Sequence, residues 1–171
     1  KGIACDGAVI YYGPAFILDL YKKGRQVVNR YYLHALFHCL FCHLYTRKGR
    51  EKGMWDLACD IAMESVLDGM YEKCIHIPQS PLRREAYLRI RRFLTGNRTA
   101  GASSEEERNI VLTAERVYHA LMEMALPERR LRQLQAEFHL DDHDLWEQED
   151  SPKIARSRQN KWNDNREKMQ T

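Results

Sequence analysis

Residues 25–47 read RQVVNRYYLHALFHCLFCHLYTR, and the fold is decided in this stretch. Val28, Tyr31, Tyr32, Ala35, Leu36 and Leu40 recur at helical intervals, which predicts one long α-helix from Arg25 to about Arg47. Its middle is apolar on nearly every side, so the helix is expected inside the fold rather than on it. Upstream, Ile3–Tyr12 alternates around the turn dipeptide Asp6-Gly7, the pattern of a short β-hairpin. Pro14 then opens a short helix to Tyr21 that Gly24 ends.

Downstream, the basic stretch Arg47–Lys52 reads as a loop and Trp55–Met70 as a second buried helix. Ile75–Pro81 is extended, and Leu82–Leu94 is a basic amphipathic helix. Thr95–Ser104 is a polar loop closing in a capping box, Ser104-Glu105-Glu106-Glu107, which predicts a helix running to about Leu126. Pro127 opens a further helix to about Phe138. The expected fold is therefore mainly α, an α+β chain with a small N-terminal hairpin. One domain spans residues 1–147, followed by a polar tail, residues 148–171, that reads as a surface helix or a linker.

Bulk properties narrow the functional classes. A net charge of +3 is too small to argue for a polyanionic partner, and the arginines of Leu82–Leu94 read as a solvated face rather than a nucleic-acid surface. No run approaches the ~18–20 apolar residues that cross a bilayer. Five cysteines are an odd number, and four sit in apolar company, so a disulfide framework is not expected and a reducing, cytoplasmic setting fits. The chain begins at Lys1 rather than a methionine, as a segment of a longer protein does.

The chemistry concentrates in the long helix. His34 and His38 stand four residues apart, about 400° of rotation, so both imidazoles leave one face about a turn apart and can reach one ion. That is the spacing of the zinc-peptidase helix His-Glu-x-x-His, although such a pair alone is a weak signal. Burial strengthens it, because two unpartnered imidazoles inside a core would be costly. The next helix carries Asp56, Asp60 and Glu64 at four-residue intervals in apolar company, a stripe that wants a cation. Two histidines, a carboxylate and one open position are what catalytic zinc uses, with Asp60 the better third ligand and Glu64 beside it orienting a histidine. His43 lies ~180° around the helix from His34 and faces away unless the helix breaks. His34, His38 and Cys42 would span ~12 Å, too far for one ion.

Cys39-Leu40-Phe41-Cys42-His43 spells a c-type haem attachment signature, but it falls mid-helix where haem attachment has no accessible loop, and buried thiols explain it. Phe138–Trp146 is dense in ligand-type groups (His139, Asp141, Asp142, His143, Asp144) and reads either as a polar turn or as a segment whose His143 or an aspartate folds back onto the metal site.

Four stretches in order then resemble a known family: Asp6-Gly7 with Tyr11–Phe16, Leu33–His43, Trp55–Ala62, and Asp142-His143 with Trp146. The sequence is similar to the amino-terminal metallopeptidase-like, zincin-like domain that precedes a von Willebrand factor A-like domain in many bacterial proteins. The resemblance implies a zinc site on His34, His38 and Asp60, a peptide or protein partner, and a tail leading into the A-like domain. It also exposes a departure, because Ala35 stands where the family has its catalytic glutamate, and Glu64 where it often has asparagine. Ala35 cannot carry a proton, so hydrolysis is expected to be weak or absent unless Glu64 or His143 substitutes as the catalytic base. The competing expectation is a metal-free protein-interaction module.

Overall fold

The computed structural model describes residues 2–96, 105–147 and 152–168. They are mainly helical, with a two-stranded antiparallel hairpin at the N-terminus. The described residues divide by internal packing into two units: 2–50, 71–76, 140–147 and 152–168 in the first, 51–70, 77–96 and 105–139 in the second.

In the first unit, β1 (Ile3–Cys5) pairs with β2 (Ile10–Tyr12) in the register Ile3–Tyr12 and Cys5–Ile10. The turn forms because Asp6 Oδ1 accepts from the backbone N–H groups of Ala8 and Val9, both at 2.8 Å, while Gly7 takes φ +87°. Alternation turns Ile3 and Cys5 inward, where they pack with Ala35, Cys39 and Leu44. Helix α1 (Pro14–Lys23) starts on its proline and stops at Gly24, and α2 begins at once as Arg25–Leu40. Arg30 and Asn29 of α2 hold the segment of residues 71–76 by donating to the carbonyls of Ile75 (3.4 Å) and Cys74 (3.0 Å).

The long helix expected to reach Arg47 stops at Leu40. Cys42 adopts a left-handed conformation (φ 59°), and a 3-10 turn follows over His43–Tyr45. The periodicity of residues 41–45 is helical by spacing alone, and the break is set by backbone geometry that spacing does not encode.

The second unit is built on α3 (Lys52–Gly69), which packs along α6 (Ala114–Met124). Glu51 caps α3 by accepting from Gly53 and Met54 (2.9 and 2.6 Å), so the helix begins earlier than Trp55. Ser80 caps α4 (Pro81–Thr95), and α7 (Glu128–Phe138) follows Pro127 as expected. The single helix expected from Ser104 to Leu126 is instead two, α5 (Glu105–Asn109) and α6, because Thr113 caps a fresh start through Arg116 N–H. Residues 97–104, where most of the polar loop and the Ser104 cap are expected, lie outside the described residues.

The polar C-terminal stretch forms α8 (Pro152–Lys168) in the first unit. Trp162 Nε1 donates to the Gly7 carbonyl at 2.7 Å and Arg158 to that of Asp6 at 3.2 Å. No described helix is long and apolar enough to cross a membrane.

The hairpin turn admits little else than glycine. A Cβ at residue 7 would run into the Tyr45 hydroxyl in a backbone region that L side chains avoid. Gly7→Ala is expected to lower stability by at least about 1–2 kcal/mol in urea unfolding. A variant as stable as the parent would show that the turn relaxes freely.

Candidate metal centre

The first unit gathers an aspartate and four histidines in its interior. His34 and His38 of α2 are fully buried, with Nε2 atoms 2.9 Å apart. After Phe138 the chain returns to β1: Ala4 bridges to Asp142, and Asp142 N–H donates to the Ile3 carbonyl at 2.8 Å. This pairing sets Asp141 on the two imidazoles, with Oδ1 3.2 Å from His34 Nε2 and 3.7 Å from His38 Nε2. Two donors bonded at ~2.0–2.1 Å to one tetrahedral ion stand roughly 3.3 Å apart. The three separations of 2.9, 3.2 and 3.7 Å bracket that value, so these atoms mark three corners of a tetrahedron of zinc-like size. Asp141 Oδ2 is buried with no hydrogen-bond partner among the described residues, which a cation would relieve.

Two more histidines fix this arrangement. The left-handed turn at Cys42 swings His43 back, so its Nδ1 lies 3.0 Å from His38 Nδ1. Were His38 Nε2 to hold a cation, Nδ1 would carry the proton and donate it to His43, which would set the tautomer of both rings. His143 places Nε2 3.0 Å from Asp141 Oδ1 and stacks on Trp146, with ring centroids 3.6 Å apart. Ala35 packs with Ile3, Cys5, Cys39 and Leu44, a cluster without a carboxylate.

Burial alone would raise the Asp141 carboxyl. The charges of His143 and His38, and hydrogen bonds from His143 and His34, outweigh it and hold the group well below the usual carboxylate range.

The structure thus brings His34, His38 and His143 together in one unit. It adds Asp141, one of the aspartates expected as an alternative to His143, and His43, expected to face away unless the helix breaks, as it does after Leu40. Asp60 and Glu64 belong to the second unit, both buried on α3. Asp60 borders a cleft of about 390 Å³ between α3 and α7, beside Asp56, Gln135 and His139. Glu64 is held by Arg83, whose Nη1 donates to its Oε2. Arg83 also reaches Glu137 at 3.2 Å and Asp68 at 3.8 Å, and Tyr87 donates to Asp68 at 2.9 Å. That network sets a guanidinium against the buried Glu64 carboxylate, and taking Arg83 away would remove that countercharge from the core.

Buried imidazoles facing a carboxylate on a helical scaffold are a donor set able to hold a metal ion. The comparison with protein families agrees: residues 1–170 match the model described as "Putative metallopeptidase domain", and the chain belongs to that family. No curated protein and no solved structure matches it.

The depressed carboxyl gives a pH signature. Its folded pKa lies below the unfolded ~3.9, so its stabilisation is complete above about pH 4 and is lost as pH falls through the folded value. In chelator-treated protein, Asp141→Asn is expected to flatten the acid limb of stability measured by helical circular dichroism. An unchanged limb would mean that Asp141 has no such linkage.

Proposed function

We propose that this domain binds one divalent cation, zinc by the chemistry of its donors, through His34 Nε2, His38 Nε2 and Asp141 Oδ1. The observation that carries the proposal is the spacing of these three buried atoms. Asp60 is proposed as a further donor on the strength of the sequence, where it follows Trp55-Asp56 in the stretch that resembles the family. When bound, such a cation supplies a Lewis acid and a water acidified toward pKa ~7.

The remaining residues favour binding over turnover. Peptide hydrolysis needs a group that takes a proton from water and returns it to the leaving amine, a contribution of about 10²–10⁴-fold. Residue 35 is alanine, Glu64 is paired with Arg83, and His143 gives its Nε2 to Asp141. We therefore read the domain as a weak or inactive relative of a peptidase that engages a peptide or protein. The cleft of about 390 Å³ lies within the range of small-ligand sites and suits a side chain of that partner. A von Willebrand factor A-like domain in the full-length chain, and a cytoplasmic location, rest on the resemblance and on cysteine usage.

A metal-free interaction module is the second reading. It is favoured by the two ring nitrogens of His38, which lie within hydrogen-bond distance of His34 and of His43. Elemental analysis separates the two. About one equivalent of metal is expected in protein purified without added zinc, lost in His38→Ala, with little or no peptide cleavage. Metal-free wild-type protein that also takes up none on titration would support the module. Zinc-dependent proteolysis abolished by His34→Ala would contradict the inactive reading.

A further inference from the structure

Two thiols meet inside the first unit. Cys5 ends β1 and Cys39 follows His38 on α2, and both are buried. Their Sγ atoms lie 3.1 Å apart, although 34 residues separate them in sequence. That is inside the roughly 3.5–4.0 Å of ordinary non-bonded contact between heavy atoms. The backbone N–H of Gly7 donates to Cys5 Sγ at 3.4 Å and holds it against its partner. Cys42, which completes a Cys-x-x-Cys with Cys39, is engaged elsewhere, its Sγ 3.5 Å from Asn163 Oδ1 on α8. The pairing that the sequence spells out locally is replaced by a long-range one.

We infer that Cys5 and Cys39 form a reversible disulfide, closed by a hydroperoxide, that ties β1 to α2 and so fixes Asp141 against His34 and His38. The Cys5 thiolate attacks one oxygen of the peroxide, the O–O bond breaks to leave a sulfenic acid on Cys5, and the departing oxygen takes up the one proton that the thiol released, leaving as water from hydrogen peroxide or as an alcohol from an organic hydroperoxide. The Cys39 sulfur then attacks the sulfenic sulfur. The S–S bond forms, the S–O bond breaks, and a water leaves with the Cys39 proton. Two thiols are oxidised and one peroxide is reduced by the same two electrons.

The location gives the bond its consequence. β1 already carries the Asp141 segment through the hydrogen bond from Asp142 to Ile3, and α2 carries both imidazoles. A covalent link between them closes a loop around the donor set. The effect on cation retention rests on the function proposed above, whereas the bond itself does not.

The test exposes the full 171-residue chain to hydrogen peroxide, alkylates it under denaturing conditions and maps the peptides by mass spectrometry. The chain is expected to lose two hydrogen atoms in mass and to protect two of its five thiols, with Cys5 and Cys39 in the linked peptides. A thiol reductant should reverse the change. Cys5→Ser and Cys39→Ser should each abolish the link, and Cys59→Ser should retain it. Cobalt(II) loaded into the oxidised form should pass to a chelator roughly tenfold more slowly than from the reduced form. Five alkylated thiols after peroxide, or a bridge between other cysteines, overturns the inference even where cobalt binds. A Cys5–Cys39 bridge with equal cobalt release in both forms overturns the claim that the bond fixes Asp141. A bridge in a chain that binds no cobalt confirms the disulfide and removes the metal reading instead.

Discussion

A buried carboxylate can stay ionised only where positive charge or strong donors face it, and Asp141 meets that condition by standing against His34, His38 and His143. The rest of the first unit follows from holding it there. The hairpin supplies a backbone edge at Ile3 and Ala4 on which the returning chain can dock. Helix α2 must be buried so that its two imidazoles look inward rather than at water, and the hydrophobic cluster around Ala35 and Cys39 keeps it so. The left-handed Cys42 ends the helix where His43 can turn back and orient His38. Each of these features would be a local oddity alone. Around one carboxylate they form a single device.

The second unit uses the same physics differently. One of its buried acids, Glu64, pairs with a guanidinium, and Arg83 is in turn shared with Asp68 and Glu137. A carboxylate paired with arginine has a countercharge beside it, which suits a structural role better than proton shuttling. Asp60, one turn earlier on the same helix, instead borders a cleft. Two acids four residues apart thus have different surroundings although their sequence contexts look alike.

That contrast marks where sequence reading succeeds and where it stops. Local rules located the hairpin from Asp6-Gly7, the helix starts from Pro14 and Pro127, and the shared face of His34 and His38 from their spacing. They failed where a backbone torsion overrode periodicity, at Cys42, and where a cap restarted a helix, at Thr113. They also missed the Glu51 cap, since glutamate is not among the usual capping residues. Non-local pairings were illegible for a plainer reason. Asp141 reaches His34 across more than 100 residues, Cys5 reaches Cys39 across 34, and no spacing rule connects such positions. The ligand-rich segment from Phe138 to Trp146 was visible as a candidate, but which of its acids would turn inward depended on the docking of Asp142 on β1.

X-ray absorption at the edge of the bound metal tests the central claim most directly, because it reports the donors themselves. A cation on His34, His38 and Asp141 has nitrogen and oxygen neighbours at ~2.0–2.1 Å with the outer scattering of two imidazoles, reduced to one in His34→Ala. Sulfur neighbours at ~2.3 Å, or an oxygen-only environment without imidazole scattering, would contradict it, since either would place the cation on residues other than His34, His38 and Asp141.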